Sequence, residues 1–287
     1  MPLRRVIGID AGGTKLLGGV VDEQLVVHHR VHRLWRGADR SETLDIFIEA
    51  VDEVRAAAPD VEAIGFGIPS LVEWETGVSR WSNHLPLADV PFRDLMSEHL
   101  GLPVVVDNDA NMALLAEHRS GAARDARHAV LVALGTGIGS GLLLDGRIYR
   151  GATGVGAELG HIVLDLHGPD CPSNCPGRGC LEAFVSGNAI GREGARLARE
   201  RPETVLGRRL AAGREISGGL VTELGHDRDQ TARLALAEVG RRLGAALTGI
   251  VNALNPEVIV IGGGAVAAGE LLLGPAAPEH ELSTNVR

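Results

Sequence analysis

Two copies of one short pattern constrain this 287-residue chain more than anything else in it. Each is an apolar run, a glycine-rich turn and a second apolar run. In residues 6–21, V-I-G-I-D leads into A-G-G-T-K, and L-L-G-G-V-V resumes. In residues 129–144, A-V-L-V-A-L enters G-T-G-I-G-S-G, and L-L-L leaves. Short apolar runs bounded by glycines read as buried strands, so both glycine groups sit in hairpins. That argues against the P-loop and the dinucleotide fingerprint, which need a strand-to-helix turn. One reading of such a turn is an ordinary hairpin. The other is a phosphate cradle, in which exposed backbone N–H groups approach oxygens and Thr14 adds a hydroxyl. One turn in each half predicts two related α/β halves that grip a polyphosphate from both sides.

The rest of the chain alternates strands and helices. Strands are expected at 25–31, 63–68, 104–106 and 258–261, and helices at 41–58, 112–118, 188–200 and 231–254. The first helix places Leu44, Phe47, Ile48, Val51 and Val54 on one face, with Ser41 as N-cap and Pro59 beyond its end. Asn255-Pro256 stops the last one. Residues 74–91 read as irregular and hold Trp74, Trp81, Asn83 and His84. A long loop of this kind either belongs to a site or packs against a neighbour. The strand 104–106 runs into D-N-D-A-N, residues 107–111. Ligands of α/β sheets bind at such carboxyl ends. Asp109 reads as a helix N-cap or as a site residue, and Asn108 beside it favours a site. Gly262-Gly263-Gly264 ends the strand 258–261, a turn that lets backbone approach a flat ligand such as a nucleobase.

All three cysteines, Cys171, Cys175 and Cys180, lie within residues 158–182. With His161 they form H-x9-C-x3-C-x4-C, flanked by Glu158 and Glu182. Three thiolates and one imidazole complete a tetrahedral zinc set, and a closed set of four marks a structural site. A disulfide with one spare thiol is the competing reading. The odd count and the lack of any mark of secretion weigh against it. His167 competes with His161 as the histidine ligand.

Hydrophobic residues make up 45% of the chain, enough for sizeable cores. Aromatics are only 3%, so those cores are expected to be built from Val, Leu, Ile and Ala. The formal net charge is −9 and no basic run occurs, so no nucleic-acid partner is expected. The opening M-P-L-R-R-V-I-G-I-D is too short for a signal-peptide core. No apolar run approaches membrane-spanning length. A soluble, cytoplasmic protein with reduced thiols and no membrane partner is the expectation.

Together these residues resemble the ROK family (repressor, open reading frame, kinase) of the actin-like superfamily. The resemblance covers nearly the whole chain. D-A-G-G-T-K at 10–15 looks like the family's first phosphate loop, 134–161 like its glycine signature, 171–182 like its zinc knuckle and 258–264 like its adenosine loop. The knuckle is wider than the C-x-C-x4-C of many members, and the wider form also fits. The implied fold is α/β, with two actin-like, ribonuclease H-like domains and a cleft between them. They are expected at 1–115 and 116–287, with the zinc knuckle in the second. The implied activity is transfer of the γ-phosphoryl of ATP to a hexose, most often to the 6-OH of glucose. The alternatives are a kinase for fructose, mannose, N-acetylglucosamine or N-acetylmannosamine, and a sugar-sensing regulator without catalysis. The intact D-A-G-G-T-K and the absence of a basic surface disfavour the regulator.

By the same resemblance, Asp109 is the catalytic base. Asn83, Asn108, Asp109, Glu158, His161 and Glu182 contact the sugar. Asp10, Gly12, Gly13, Thr14, Lys15, Gly135, Thr136, Gly137, Gly262, Gly263 and Gly264 hold ATP, with Mg²⁺ near Asp10. Structural Zn²⁺ takes His161, Cys171, Cys175 and Cys180, and the molecule is expected to be a homodimer. The family usually continues after Gly264 through a helix, a strand and a further helix. Here the residues after Leu273 show no periodicity, and the closing elements are expected to be missing or replaced.

Overall fold

The computed structural model describes residues 5–12, 15–34, 39–173, 175–277 and 285–286. Gly13 and Thr14, singled out in the sequence, lie outside the described residues. The chain opens with a meander. Strands β1 (Val6–Ala11), β2 (Lys15–Val21) and β3 (Val27–Leu34) pair antiparallel, one after the next. Helix α1 (Arg40–Ala57) then carries the chain back to β4 (Ala63–Ile68), which lies parallel to β1. A small antiparallel pair follows, β5 (Leu71–Glu73) and β6 (Val78–Trp81), and then α2 (Phe92–Leu100). Strand β7 (Val104–Asn108) pairs parallel to β4 and runs directly into α3 (Asp109–Ser120). The sheet order is β3-β2-β1-β4-β7.

The second half repeats that order. Strands β8 (Ala129–Leu134) and β9 (Ile138–Leu144) form the antiparallel hairpin, and β10 (Arg147–Ile148) joins its outer side. The helices α4 (Leu181–Phe184), α5 (Gly187–Glu200), α6 (Val205–Ala211), α7 (Gly218–His226) and α8 (Gln230–Leu254) come next. Strand β11 (Val258–Gly262) lies parallel to β8. After a 3₁₀ turn at Gly264–Ala268 and α9 (Glu270–Leu273), β12 (Asn285–Val286) pairs parallel to β11. The order β10-β9-β8-β11-β12 matches the first sheet position for position.

The chain forms two compact units, Met1–Arg124 with Ile148–Ala157, and Asp125–Arg147 with Glu158–Arg287. A division at 115/116 would cut through α3, and residues 148–157 return to the first unit. In the first unit the core is not purely aliphatic. Phe47, Phe66 and Phe92 are fully buried and meet edge to face, with ring centroids 5.2–5.7 Å apart. Three of the chain's four phenylalanines are thus spent on one cluster. Each such pair contributes about 0.5–1.5 kcal/mol beyond its buried area. In the second unit, α8 buries Leu236, Val239, Leu243, Leu247 and Ile250 along one stripe, as its three- and four-residue steps require.

Several expectations are corrected. Asp39, not Ser41, caps α1, its Oδ1 accepting the Glu42 N–H at 3.0 Å. The third strand runs 27–34 rather than 25–31. Residues 74–91 are not wholly irregular. Strand β6 lies among them, and the Ser79 backbone exchanges hydrogen bonds with Val90. Helices α6 and α7 were missed, because each is short and set between glycines and polar residues. At the other end of the second sheet, two residues of the aperiodic tail do form a strand, β12.

Candidate active site

In the first unit the parallel strands bring the polar residues to one sheet edge. Asp10 pairs with Gly67, Gly67 with Asp107, and Ile68 with Asn108. Asp10 and the D-N-D-A-N segment therefore lie at the carboxyl ends of neighbouring strands, where α/β sheets place ligands. The β1–β2 turn is closed by a hydrogen bond from Gly12 N–H to Lys15 O at 2.8 Å. The surrounding protein desolvates the Asp10 carboxyl and pushes its pKa above the usual range, against a smaller opposing pull from Lys15.

Asn108 corrects the reading of Asp109 as a cap. Asn108 Oδ1 accepts the N–H groups of Ala110 (2.9 Å) and Asn111 (3.2 Å), so Asn108 is the N-cap of α3. Its amide Nδ2 donates to Ser70 O at 3.3 Å. Asp109 is instead the first residue of the helix. Ser70 is buried and bonds in turn to Ser79 Oγ and Trp81 O, which fastens the end of β4 to the β6 strand. Asn83 lies exposed in the loop after β6. That loop is held by Ser82, whose hydroxyl accepts from the His84 and Leu85 N–H groups.

Sequence reasoning missed the most buried charge of this unit. Asp107 is fully buried and ion-paired to Arg150, whose guanidinium lies 3.8 Å over the Trp74 ring. The available signal was a charged residue at the end of an otherwise apolar strand. Its partner lies 43 residues away in sequence, beyond the reach of local patterns.

In the second unit the metal reading can be tested by geometry. The ligand atoms of His161, Cys171, Cys175 and Cys180 all lie within 4.8 Å of one another. No pair of the three cysteines forms a disulfide. His161, not His167, belongs to the group, and its Nδ1 lies 3.5 Å from Cys171 Sγ. Burial, and after it the neighbouring sulfurs, push the Cys171 thiol up to about 12. Thiols packed this closely favour the thiolate only when a cation sits among them, and the four residues fit zinc in its closed tetrahedral form. The other ring nitrogen of His161, Nε2, lies 3.9 Å from Glu158 Oε2. Desolvation pushes the Glu158 carboxyl up, His161 opposes this, and Glu182 adds to it.

Glu182 joins the knuckle to the second glycine turn. It is buried, and Oε2 accepts the Ile138 N–H at 2.7 Å while Oε1 accepts from the Ser173 hydroxyl. A Cβ on Gly137 would stand 2.3 Å from Glu182 Oε2, so any side chain there would force the Glu182 carboxylate to move. Gly135 N–H bonds to Gly137 O, Thr136 is exposed between them, and Gly187 N–H at the start of α5 bonds to Gly135 O. Gly263 adopts φ +86° and passes so close to Leu134 that a Cβ would meet its backbone at 2.5 Å. The 135–137 turn and the 262–264 loop therefore stand side by side, at the carboxyl ends of the parallel pair β8–β11.

Two sheets of identical order, each with a glycine hairpin beside a carboxyl-end cluster, define a duplicated α/β protein. Residues 6–281 match the ROK family, and the chain belongs to it. It is 35% identical over 279 residues to a glucokinase of Thermotoga maritima, covering 96% of this chain and 86% of that one. The structure of a ROK family glucokinase from Streptomyces griseus, in complex with glucose and AMPPNP, matches with a TM-score of 0.83 and 31% identity. That match covers 96% of this chain and 87% of the other. A xylose repressor of Caldicellulosiruptor bescii is 28% identical over 277 residues, which span 93% of this chain and 68% of the repressor. Among the described residues no helix is long and apolar enough to cross a membrane.

Proposed function

We propose that this protein is an ATP-dependent hexose kinase and that glucose is its preferred acceptor. The observation that carries the reading is Asp109. It is a carboxylate at the carboxyl end of a parallel strand and the first residue of α3, where its Oδ1 shares the Ala110 N–H (2.9 Å) with the cap, Asn108. The likeness to glucokinases over almost the whole chain supports the same activity.

On this reading Asp109 orients the sugar hydroxyl and accepts its proton as the new O–P bond forms. The bond between the γ-phosphorus and the bridging oxygen breaks, and ADP leaves. Phosphoryl transfer is mainly positioning and charge stabilisation, so a carboxylate of ordinary basicity suffices. The turns at Gly12–Lys15 and Gly135–Gly137 offer backbone N–H groups to the phosphates. The Gly262–Gly264 loop takes the nucleoside. Asp10 is the carboxylate that would hold Mg²⁺ arriving with ATP, and the ion would supply charge neutralisation at the phosphates. Asn83, Asn108, Glu158 and His161 hold the sugar hydroxyls. Glu182 has a second lone pair on each oxygen, so it can serve the sugar while it ties the knuckle to Ile138. Zinc, when bound, supplies rigidity. His161 then gives Nδ1 to the metal and keeps Nε2 for the sugar, as its present geometry supports.

The likeness to a xylose repressor keeps a second reading in view, a sugar-binding regulator. A coupled ADP-release assay across glucose, mannose, fructose and the two N-acetylhexosamines separates them. Turnover with glucose, at the highest kcat/KM of the panel, is expected. Saturable sugar binding without ADP release would support the regulator instead.

A further inference from the structure

We propose that Arg150 is a positioning residue for Asp109, acting through the buried carboxylate of Asp107. The inference rests on the reading of Asp109 as the proton acceptor. Asp107 is the last buried residue of β7 before the chain turns into α3. Its two oxygens divide their work. Oδ2 receives Arg150 Nε at 2.9 Å and Nη2 at 2.7 Å. Oδ1 receives the Asn108 N–H at 2.8 Å and Asn111 Nδ2 at 3.1 Å. One carboxylate thus joins the guanidinium to the residues on either side of Asp109. Asn108 completes the link by capping the N–H groups of Ala110 and Asn111. The Trp74 ring below Arg150 fixes the plane of the guanidinium.

A buried ion pair is a poor means of adding stability, since an apolar pair of similar size often does as well. What the pair supplies is direction. Two N–H groups in a rigid fork set the rotation of the Asp107 carboxylate, and that rotation sets where Asn108 and Asn111 find their acceptor. Arg150 also reaches the first unit from an unusual place in sequence. It belongs to residues 148–157, which pack with the first unit although the chain on both sides belongs to the second.

Three variants test this: Arg150→Lys, Arg150→Met, and Arg150→Met combined with Asp107→Leu. Each is measured for melting temperature, for kcat and KM with hexose and ATP, and for hydrogen exchange at the amides of residues 108–111. Lysine keeps the charge and loses the fork. In Arg150→Lys, kcat is expected to fall about 10²-fold, as for a reacting group misplaced by about an ångström. KM for ATP should stay within a few-fold, and exchange at 110 and 111 should accelerate. Arg150→Met alone strands a buried carboxylate and can fail to fold. The double variant removes both charges but leaves the Asn108 N–H and Asn111 Nδ2 without their acceptor, so it should melt below the wild type yet above Arg150→Met alone, and should still have low kcat. Recovery of kcat along with stability in the double variant would overturn the proposal. So would unchanged exchange in Arg150→Lys, a result that does not depend on activity. A wild-type protein inactive on every hexose would overturn the kinase reading, while the exchange comparison still decides whether Arg150 orders the start of α3.

Discussion

At the scale of single residues, the proposed chemistry turns on Asp109 and on Asn108, the cap beside it. With Asn108 as the cap, the next carboxylate, Asp109, stands at the first helical position of α3. Asp109→Asn should lower kcat about 10²–10⁴-fold, the usual worth of a positioned general base, with the hexose KM within a few-fold. Asn108→Ala should cost about 1 kcal/mol through the lost cap, read as a lower melting temperature. Asp10 offers a test through pH. Desolvation raises its folded pKa, so the folded state binds a proton more readily than the unfolded one. Stability from this group is therefore lost as pH rises from the ordinary aspartate value through the raised one. Asp10 is solvent-exposed, which keeps the effect small: Asp10→Asn should melt slightly higher than wild type at neutral pH and no higher in acid, while its ATP turnover falls. A melting temperature below the wild type's at neutral pH would remove the desolvation cost assigned to Asp10.

At the scale of elements, the knuckle and the glycine turn behave as one piece because Glu182 bonds to both. The purified protein should carry about one zinc per chain, as four ligands permit. Thiol titration should find the three cysteines unreactive before chelation and reactive after it. Gly137→Ala pushes a methyl against Glu182 Oε2, so KM should rise for ATP through the turn and for hexose through Glu182. An unchanged KM for ATP would detach the turn from the phosphates. The sequence was informative for such elements wherever spacing is local. The four metal ligands, both hairpin turns and the long α8 were all readable, since each is written within about 25 residues. Short helices such as α6, the cap at Asn108, and the pairing of Asp107 with Arg150 were not. They depend on tertiary neighbours, which periodicity does not encode.

At the scale of the whole molecule, the repeated sheet order is the physical reason that two glycine turns occur at all. Each sheet needs a tight hairpin between its first two strands, and each places that hairpin beside the carboxyl ends of its parallel strands. The duplication was legible from the turns alone. The return of residues 148–157 to the first unit was not, because no change of composition marks it. Phosphorylation of a hexose through Asp109 is tested by wild type and Asp109→Asn side by side. Glucose binding is followed by calorimetry and ADP release by a coupled assay. Binding in both proteins and ATP-dependent turnover in the wild type alone are expected. Glucose binding by the wild type without ADP release, or undiminished turnover in Asp109→Asn, would contradict it.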